Sequence, residues 1–220
     1  MRRDREPVTL EKIRAAHSER RREIRARLAE FEEVRRTATD ERLWEELVFC
    51  IFTAGASARM GLGSVEAVRH LLERGTHEEL AAALQSKHRY PNSRSGYIVV
   101  TRAYLEADCR LRLRERLENF EDPIERRDWL ARTREIKGLG YKESSHFLRN
   151  VGYRGYAILD KHILRCLTEV GVLDSPQPPA TRARYLSTEE RLRRFADDLG
   201  VDFDELDLVL WSMKTGEILK

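Results

Sequence analysis

Two side chains stand out for the chemistry they can do: the amine of Lys142 and the carboxylate of Asp160. Lys142 follows a tight turn in Ile136-Lys137-Gly138-Leu139-Gly140-Tyr141-Lys142, and Asp160 comes later in Ile158-Leu159-Asp160-Lys161-His162. A lysine amine is a nucleophile in its neutral form. A carboxylate beside it can take up a proton and stabilise positive charge developing on a sugar. Taken alone, each residue has an ordinary explanation. Lys142 reads as a phosphate-binding lysine, and Asp160 as a helix N-cap worth about 1 kcal/mol. The pair becomes informative only through the elements that position it.

Residues 133–148 supply the first such element, a helix-hairpin-helix pattern. Ile136 is an apolar anchor, Gly138-Leu139-Gly140 the hairpin, Ser144 a small residue on the second helix, and Phe147-Leu148 an apolar pair. Thr133 is less apolar than the pattern prefers. Gly138 and Gly140 permit backbone conformations closed to other residues and let a phosphate approach the main chain. Leu139 is expected to point inward and pin the hairpin. The amides of the following helix then face out, where the helix dipole favours an anion. Such contacts hold DNA without reading its sequence. A ligand-free turn between two helices is the plain alternative.

Lys142 falls in the first turn of that second helix, where a cation opposes the dipole by about 0.3–1 kcal/mol. A sequence shaped by stability alone would place Glu there. The same field disfavours the ammonium form, which suits a Schiff-base lysine. The helix runs into Gly152-Tyr153-Arg154-Gly155-Tyr156, where the chain must turn back. Asp160 can thus return near the start of the preceding helix. His162, the other titratable group nearby, reads as a helix-surface or core residue.

Most of the chain carries a helical period. Residues 9–36 repeat Leu10, Ile13, Leu28, Phe31 and Val34 within a charged stretch, and residues 1–36 hold twelve basic against eight acidic side chains. Mixed charge of this kind usually marks a solvated helix face. Asp40 caps a helix carrying Leu43, Trp44, Leu47, Val48, Ile51 and Phe52, which is expected to be the most buried. A small-residue loop, Thr53-Ala54-Gly55-Ala56-Ser57-Ala58, follows it. Further helices are expected over 63–74, 77–85, 94–109, 123–136, 142–151, 161–170, 187–199 and 203–214, punctuated by prolines. Alternating strand patterns and repeats are absent, so the chain is expected to be all-α.

The 220 residues are enough for one large domain or two interlocked ones. The net charge of +3 says little about partners, but 34 Arg stand against 7 Lys. Arg is the better phosphate and base-edge binder; a GC-rich genome produces the same bias. Only two Gln and three Asn occur, a scarcity also found in thermophilic proteins. Cys50, Cys109 and Cys166 are odd in number and far apart. They argue against a zinc site or a cysteine-ligated cluster and read as reduced core thiols of a cytosolic protein. No signal peptide is expected, because no apolar run follows the arginine-rich start, and no segment approaches the length of a membrane-spanning run.

At these residues the sequence resembles the helix-hairpin-helix superfamily of DNA glycosylases with a Gly/Pro-rich loop and an aspartate. Lys142 occupies the place of the lysine that marks bifunctional glycosylase/lyases, and Asp160 that of the invariant aspartate. Within the superfamily the chain looks most like the archaeal-type 8-oxoguanine DNA glycosylase/AP lyases. Supporting stretches are Phe49-Cys50-Ile51-Phe52-Thr53-Ala54, His88-Arg89-Tyr90-Pro91-Asn92-Ser93-Arg94 with Tyr97-Ile98-Val99, and the C-terminal segment from Trp211 to Lys220. Gly55 stands where the family often has Asn.

The resemblance covers nearly the whole chain from about residue 40 and implies a two-lobed fold with a cleft between the lobes. One lobe, 40–155, would carry six helices and the hairpin. The other would combine 1–39 with 156–220. It also implies excision of 8-oxoguanine from double-stranded DNA through a Lys142 Schiff base, followed by β-elimination. Asp160 would assist, Lys220 and Trp211 would recognise the base, and Gly138 and Gly140 would hold the DNA backbone. Without the family, Trp211 reads as core, Lys220 as a loose terminus, and Lys214 as a surface or DNA-facing charge. No metal or organic cofactor is implied, and a monomeric, cytoplasmic, nucleoid-associated prokaryotic enzyme is expected. An oxidised-pyrimidine glycosylase and a non-catalytic hairpin protein are the alternatives.

Overall fold

The computed structural model describes residues 7–218. Among them it has eleven α-helices, one 3₁₀ turn (Arg69–Leu71) and no strand. The helices are α1 (Leu10–Thr37), α2 (Asp40–Thr53), α3 (Ala58–Val68), α4 (His77–Leu84), α5 (Pro91–Cys109), α6 (Leu113–Glu118), α7 (Pro123–Arg132), α8 (Tyr141–Asn150), α9 (Lys161–Glu169), α10 (Arg182–Leu199) and α11 (Phe203–Thr215). The chain divides into two compact units. One spans Glu33–Tyr153 and holds α2–α8; the other joins the described residues up to Glu32 with those from Arg154 onward.

In the Glu33–Tyr153 unit, α2 is the central rod. Every residue from Leu47 to Phe52 is buried, the condition of a helix that is apolar all round. Helices α3, α5, α6 and α8 pack on it. Its N-cap is Thr39, whose side chain accepts from the Arg42 amide, with Asp40 as the first helical residue. Asp40 instead accepts from the Arg114 amide at the start of α6, 2.8 Å away. The cap thus sits one residue earlier than the sequence suggested.

The second unit is built on α1, α9, α10 and α11, with α11 packed on both α9 and α10. Ile13, Ile24, Leu28 and Phe31 of α1 are buried, as are Ile163, Leu164 and Leu167 of α9 and Leu206, Leu208, Val209 and Leu210 of α11. Part of the α1 charge is spent inside this unit. Glu205 accepts from Arg25 Nε at 2.5 Å and pairs with His17 Nε2 at 2.6 Å. Burial works against the charge on Glu205, but these two partners outweigh it and hold the carboxyl below its usual value.

Four elements depart most from the sequence expectation. Helix α10 begins at Arg182, not 187, where Thr181 caps it by accepting from the Arg184 amide. Helix α3 begins at Ala58, not 63, because Ser57 caps it by accepting from the Met60 amide. Gly61 and Gly63, which weaken a helix by propensity, lie inside it. At Gly61 a Cβ would come within 2.7 Å of Thr53 Cγ2 and 3.1 Å of the Phe49 ring, so close packing requires the glycine. Helix α6 was not expected, being too short to display a period, yet its Leu113 and Leu117 are fully buried. Helix α7 stops at Arg132, and the four residues expected to continue it form the turn that enters the hairpin.

Candidate active site

The hairpin connects α7 to α8 as the pattern predicts. Ile136, Leu139, Ser144, Phe147 and Leu148 are all buried, so Leu139 does pin the turn from inside. Helix α5 supports the turn from below. Thr101, fully buried, accepts from the Lys137 amide at 2.9 Å and donates to the Glu135 carbonyl at 3.4 Å. Tyr141 ties the start of α8 to α7 through its hydroxyl, 2.9 Å from Asp128 Oδ1.

The two hairpin glycines have different reasons to be glycine. Gly138 has φ +81°, and a Cβ there would meet the Tyr97 ring at 2.9 Å and both Arg94 Nη1 and Ile51 Cγ2 at 3.3 Å. Only glycine fits. Gly140 has φ −100°, which any residue adopts, and a Cβ there would meet only Glu143 Oε2, at 3.4 Å. The expectation that both glycines serve a forbidden backbone conformation is corrected for Gly140. What the missing side chain avoids there is only an ordinary contact with the Glu143 carboxylate.

Lys142 is the second residue of α8, with about a third of its side chain exposed. Its Nζ lies 2.8 Å from Glu143 Oε1. The other oxygen of Glu143 accepts from the Gly140 amide at 3.3 Å. One carboxylate therefore satisfies an orphan amide of the helix start and supplies the counter-charge to Lys142. Sequence reasoning passed over Glu143. Its signal was present, a Glu three residues after the helix-starting glycine, as in a capping box.

Arg94 was quoted in the sequence without a role. It is buried, donates from Nη2 to the Ala54 carbonyl, and lies over the Tyr97 ring at 5.4 Å. Burial lowers its affinity for the proton, opposed by Tyr97, Glu143 and Tyr90 in that order. The buried His88 is also fixed: its Nε2 meets the Phe52 carbonyl at 3.0 Å, and Nδ1 accepts from the Tyr90 amide at 3.0 Å. Donation from Nε2 with acceptance at Nδ1 is the pattern of the neutral ring.

Asp160 belongs to the other unit and starts α9. Its Oδ1 accepts from the amides of His162 and Ile163 at 2.7 and 2.9 Å, so the N-cap reading holds. The approach to it is clamped. Tyr156, Ala157, Ile158 and Leu159 are buried, and their amides cannot reach water. Ala157 N donates to Glu189 Oε2 at 2.8 Å, Ile158 N to Asp207 Oδ1 at 3.3 Å, and Leu159 N to the Tyr185 hydroxyl at 3.4 Å. Polar side chains of α10 and α11 thereby hold the segment that delivers Asp160. That clamp was not legible in sequence, since its members lie 26–49 positions downstream.

A model of the 8-oxoguanine DNA glycosylase family (Ogg-HhH) matches residues 24–201. The chain belongs to that family. An 8-oxoguanine DNA glycosylase/AP lyase of Korarchaeum cryptofilum is 41% identical over 198 residues, covering 90% of each chain. One from Methanocaldococcus jannaschii is 36% identical over 198 residues, covering 90% of this chain and 91% of the other. The crystal structure of a Methanocaldococcus jannaschii 8-oxoguanine glycosylase/lyase in complex with 15mer DNA containing 8-oxoguanine superimposes with a TM-score of 0.87. That match has 35% identity and covers 96% of this chain and 99% of that one. The 8-oxoguanine DNA glycosylase of Thermotoga maritima matches with a TM-score of 0.85 and 34% identity, over 96% of this chain and 98% of its own. The helix-hairpin-helix fold is therefore that of its glycosylase neighbours.

Against that family background the remaining residues take their places. Gly55, singled out in the sequence as standing in place of an expected Asn, has φ +77°. Glycine and asparagine are the residues that most readily adopt this left-handed conformation, so either suits the turn after α2. Trp211 lies half-buried on α11, short of the core position that its apolar character suggested. Lys220 lies outside the described residues. Lys214 is corrected: it is buried and pairs with Glu169 at 2.6 Å, and is no surface charge. Burial opposes the charge on Glu169, but Lys214 and the Val8 amide hold its carboxyl below the usual value. Cys50 and Cys166 are buried, and burial pushes the Cys166 thiol up to about 12. Such a thiol is inert. Among the described residues no cluster of His, Cys, Asp and Glu is arranged to hold a metal, and no helix is long and apolar enough to cross a membrane.

Proposed function

We propose that this chain excises 8-oxoguanine from double-stranded DNA and nicks the resulting abasic site, with Lys142 as nucleophile. The observation that carries this reading is the position of Lys142: an amine in the first turn of α8, directly after a hairpin of the glycosylase family. The backbone amides of the hairpin around Gly138, with Gly140 keeping side-chain bulk away from the main chain, hold a phosphate. The damaged nucleotide is flipped out of the stack.

Lys142 first gives up its ammonium proton to solvent; the neutral amine then bonds to the sugar C1′ as the bond from C1′ to N9 breaks, and the nitrogen sheds a second proton. The base leaves with that electron pair and is protonated. Asp160 stabilises the positive charge spread over C1′ and the ring oxygen as the bond breaks. Ring opening gives a Schiff base between Nζ and C1′. Loss of a C2′ proton and of the 3′ phosphate cuts the strand 3′ to the lesion, and hydrolysis frees Lys142. Trp211 and Lys220 are assigned to recognition of the oxidised base. The chain is assigned as a monomer in the prokaryotic cytoplasm, acting on the nucleoid.

Borohydride reduces a Schiff base to a stable amine. Incubating the protein with borohydride and a duplex containing 8-oxoguanine should give a covalent adduct that Lys142→Gln lacks. Adducts formed only with an oxidised pyrimidine would redirect the substrate, and tight binding with no adduct to any lesion would leave a binding protein.

A further inference from the structure

The proposed nucleophile has a long side chain that must be held still. Lysine carries four rotatable bonds, and their freedom must be given up for the amine to be held in one place. A freely rotating amine near a helix start would seldom point at a sugar carbon. Glu143 is the side chain on Lys142 Nζ, at 2.8 Å. Glu143 is itself restrained, since Oε2 is bound to Gly140 N at 3.3 Å and only 14% of its side chain is exposed. The Gly140 amide at the start of α8 and the amine of Lys142 are thus joined through one carboxylate.

We propose that Glu143 is the positioning residue of Lys142. Glu143 makes no bond to substrate. It fixes the rotamer of the nucleophile and supplies the counter-charge that lets a lysine occupy the first turn of α8. This inference rests on the assignment of Lys142 as nucleophile.

Two substitutions separate positioning from capping. Glu143→Gln keeps an oxygen for the Gly140 amide, as a capping box tolerates, but loses the charge that holds the amine. Glu143→Asp keeps the charge, with an arm one carbon too short to span both partners. With saturating 8-oxoguanine duplex, each variant should excise the base at least about tenfold more slowly in a single turnover, while its unfolding midpoint falls by no more than a few degrees, as the loss of one contact at the helix start allows. In the Lys142→Gln background, adding Glu143→Gln should leave duplex affinity within about twofold. Without DNA, acetic anhydride should label Lys142 several-fold faster in Glu143→Gln than in the wild type, relative to Lys87 as an internal standard. Both variants excising at the wild-type rate with unchanged labelling would overturn the proposal. So would a loss confined to duplex affinity. If the wild type itself forms no borohydride adduct, the assignment of Lys142 fails first, and the labelling result still reports whether Glu143 holds the amine.

Discussion

The starts of α8 and α9 solve one electrostatic problem with the carboxylate in different places. Each helix leaves amides without partners at its N-terminus. In α9 the capping group is the N-cap side chain itself, Asp160, with one oxygen shared by two amides. In α8 the N-cap is Gly140, and the capping carboxylate comes from Glu143, inside the helix. The difference matters for chemistry. Moving the cap inward leaves the N-cap position without a side chain and places an acid against Lys142. At α9 the cap and the proposed catalytic group are the same residue, so stability and activity are coupled there.

That contrast is open to test, and the largest expected effect is at Lys142. Lys142→Gln should abolish the adduct and lower excision by at least about a thousandfold, as removal of a nucleophile does, with little change in stability because no cap is lost. Asp160→Asn should keep both cap hydrogen bonds and fold like the wild type, yet excise roughly 10²–10³-fold more slowly through loss of charge stabilisation. Asp160→Ala should add an unfolding penalty of about 1 kcal/mol. If Asp160→Asn excised at the full rate, Asp160 would be only a cap.

Effects on stability come next. Lys214→Met leaves Glu169 without its ammonium, and calorimetry should show a loss of about 1–3 kcal/mol, less than for a fully enclosed pair because Glu169 retains some solvent contact. Gly138→Ala should cost about 2–3 kcal/mol, combining the left-handed backbone with displacement of Tyr97. Gly140→Ala should cost under about 1 kcal/mol while weakening binding to undamaged duplex. Equal stability losses at the two glycines would erase the distinction drawn between them.

The smallest effect is with pH. Glu169 and Glu205 have folded values held below the usual 4.5. Their contribution is complete above the unfolded value and is lost as pH falls through the folded values. The unfolding midpoint should therefore drop below pH 4.5, and less steeply in Lys214→Met.

Much of this was legible in the sequence because it is local. The hairpin spans eight residues from Ile136 to Glu143, and its apolar anchors and glycine spacing read directly. Asp160 as a cap needed only the apolar residues after it. Helix α6 escaped because six residues carry too few apolar positions to show a period, and the start of α3 escaped because its glycines argue against a helix until Phe49 and Thr53 are seen against Gly61. The burial of Lys214 and the clamp on residues 157–159 depend on partners 26–49 positions away, which no local pattern encodes. Glu143 was visible but unweighted: its two roles appear only when both oxygens are placed.

The central claim is a covalent bond between Lys142 and the sugar. The most direct measurement is mass spectrometry of the borohydride-trapped adduct after nuclease and protease digestion. The deoxyribose-derived mass should map to the peptide that contains Lys142, on that side chain. A trapped mass on any other lysine or on the N-terminal amine would contradict the account.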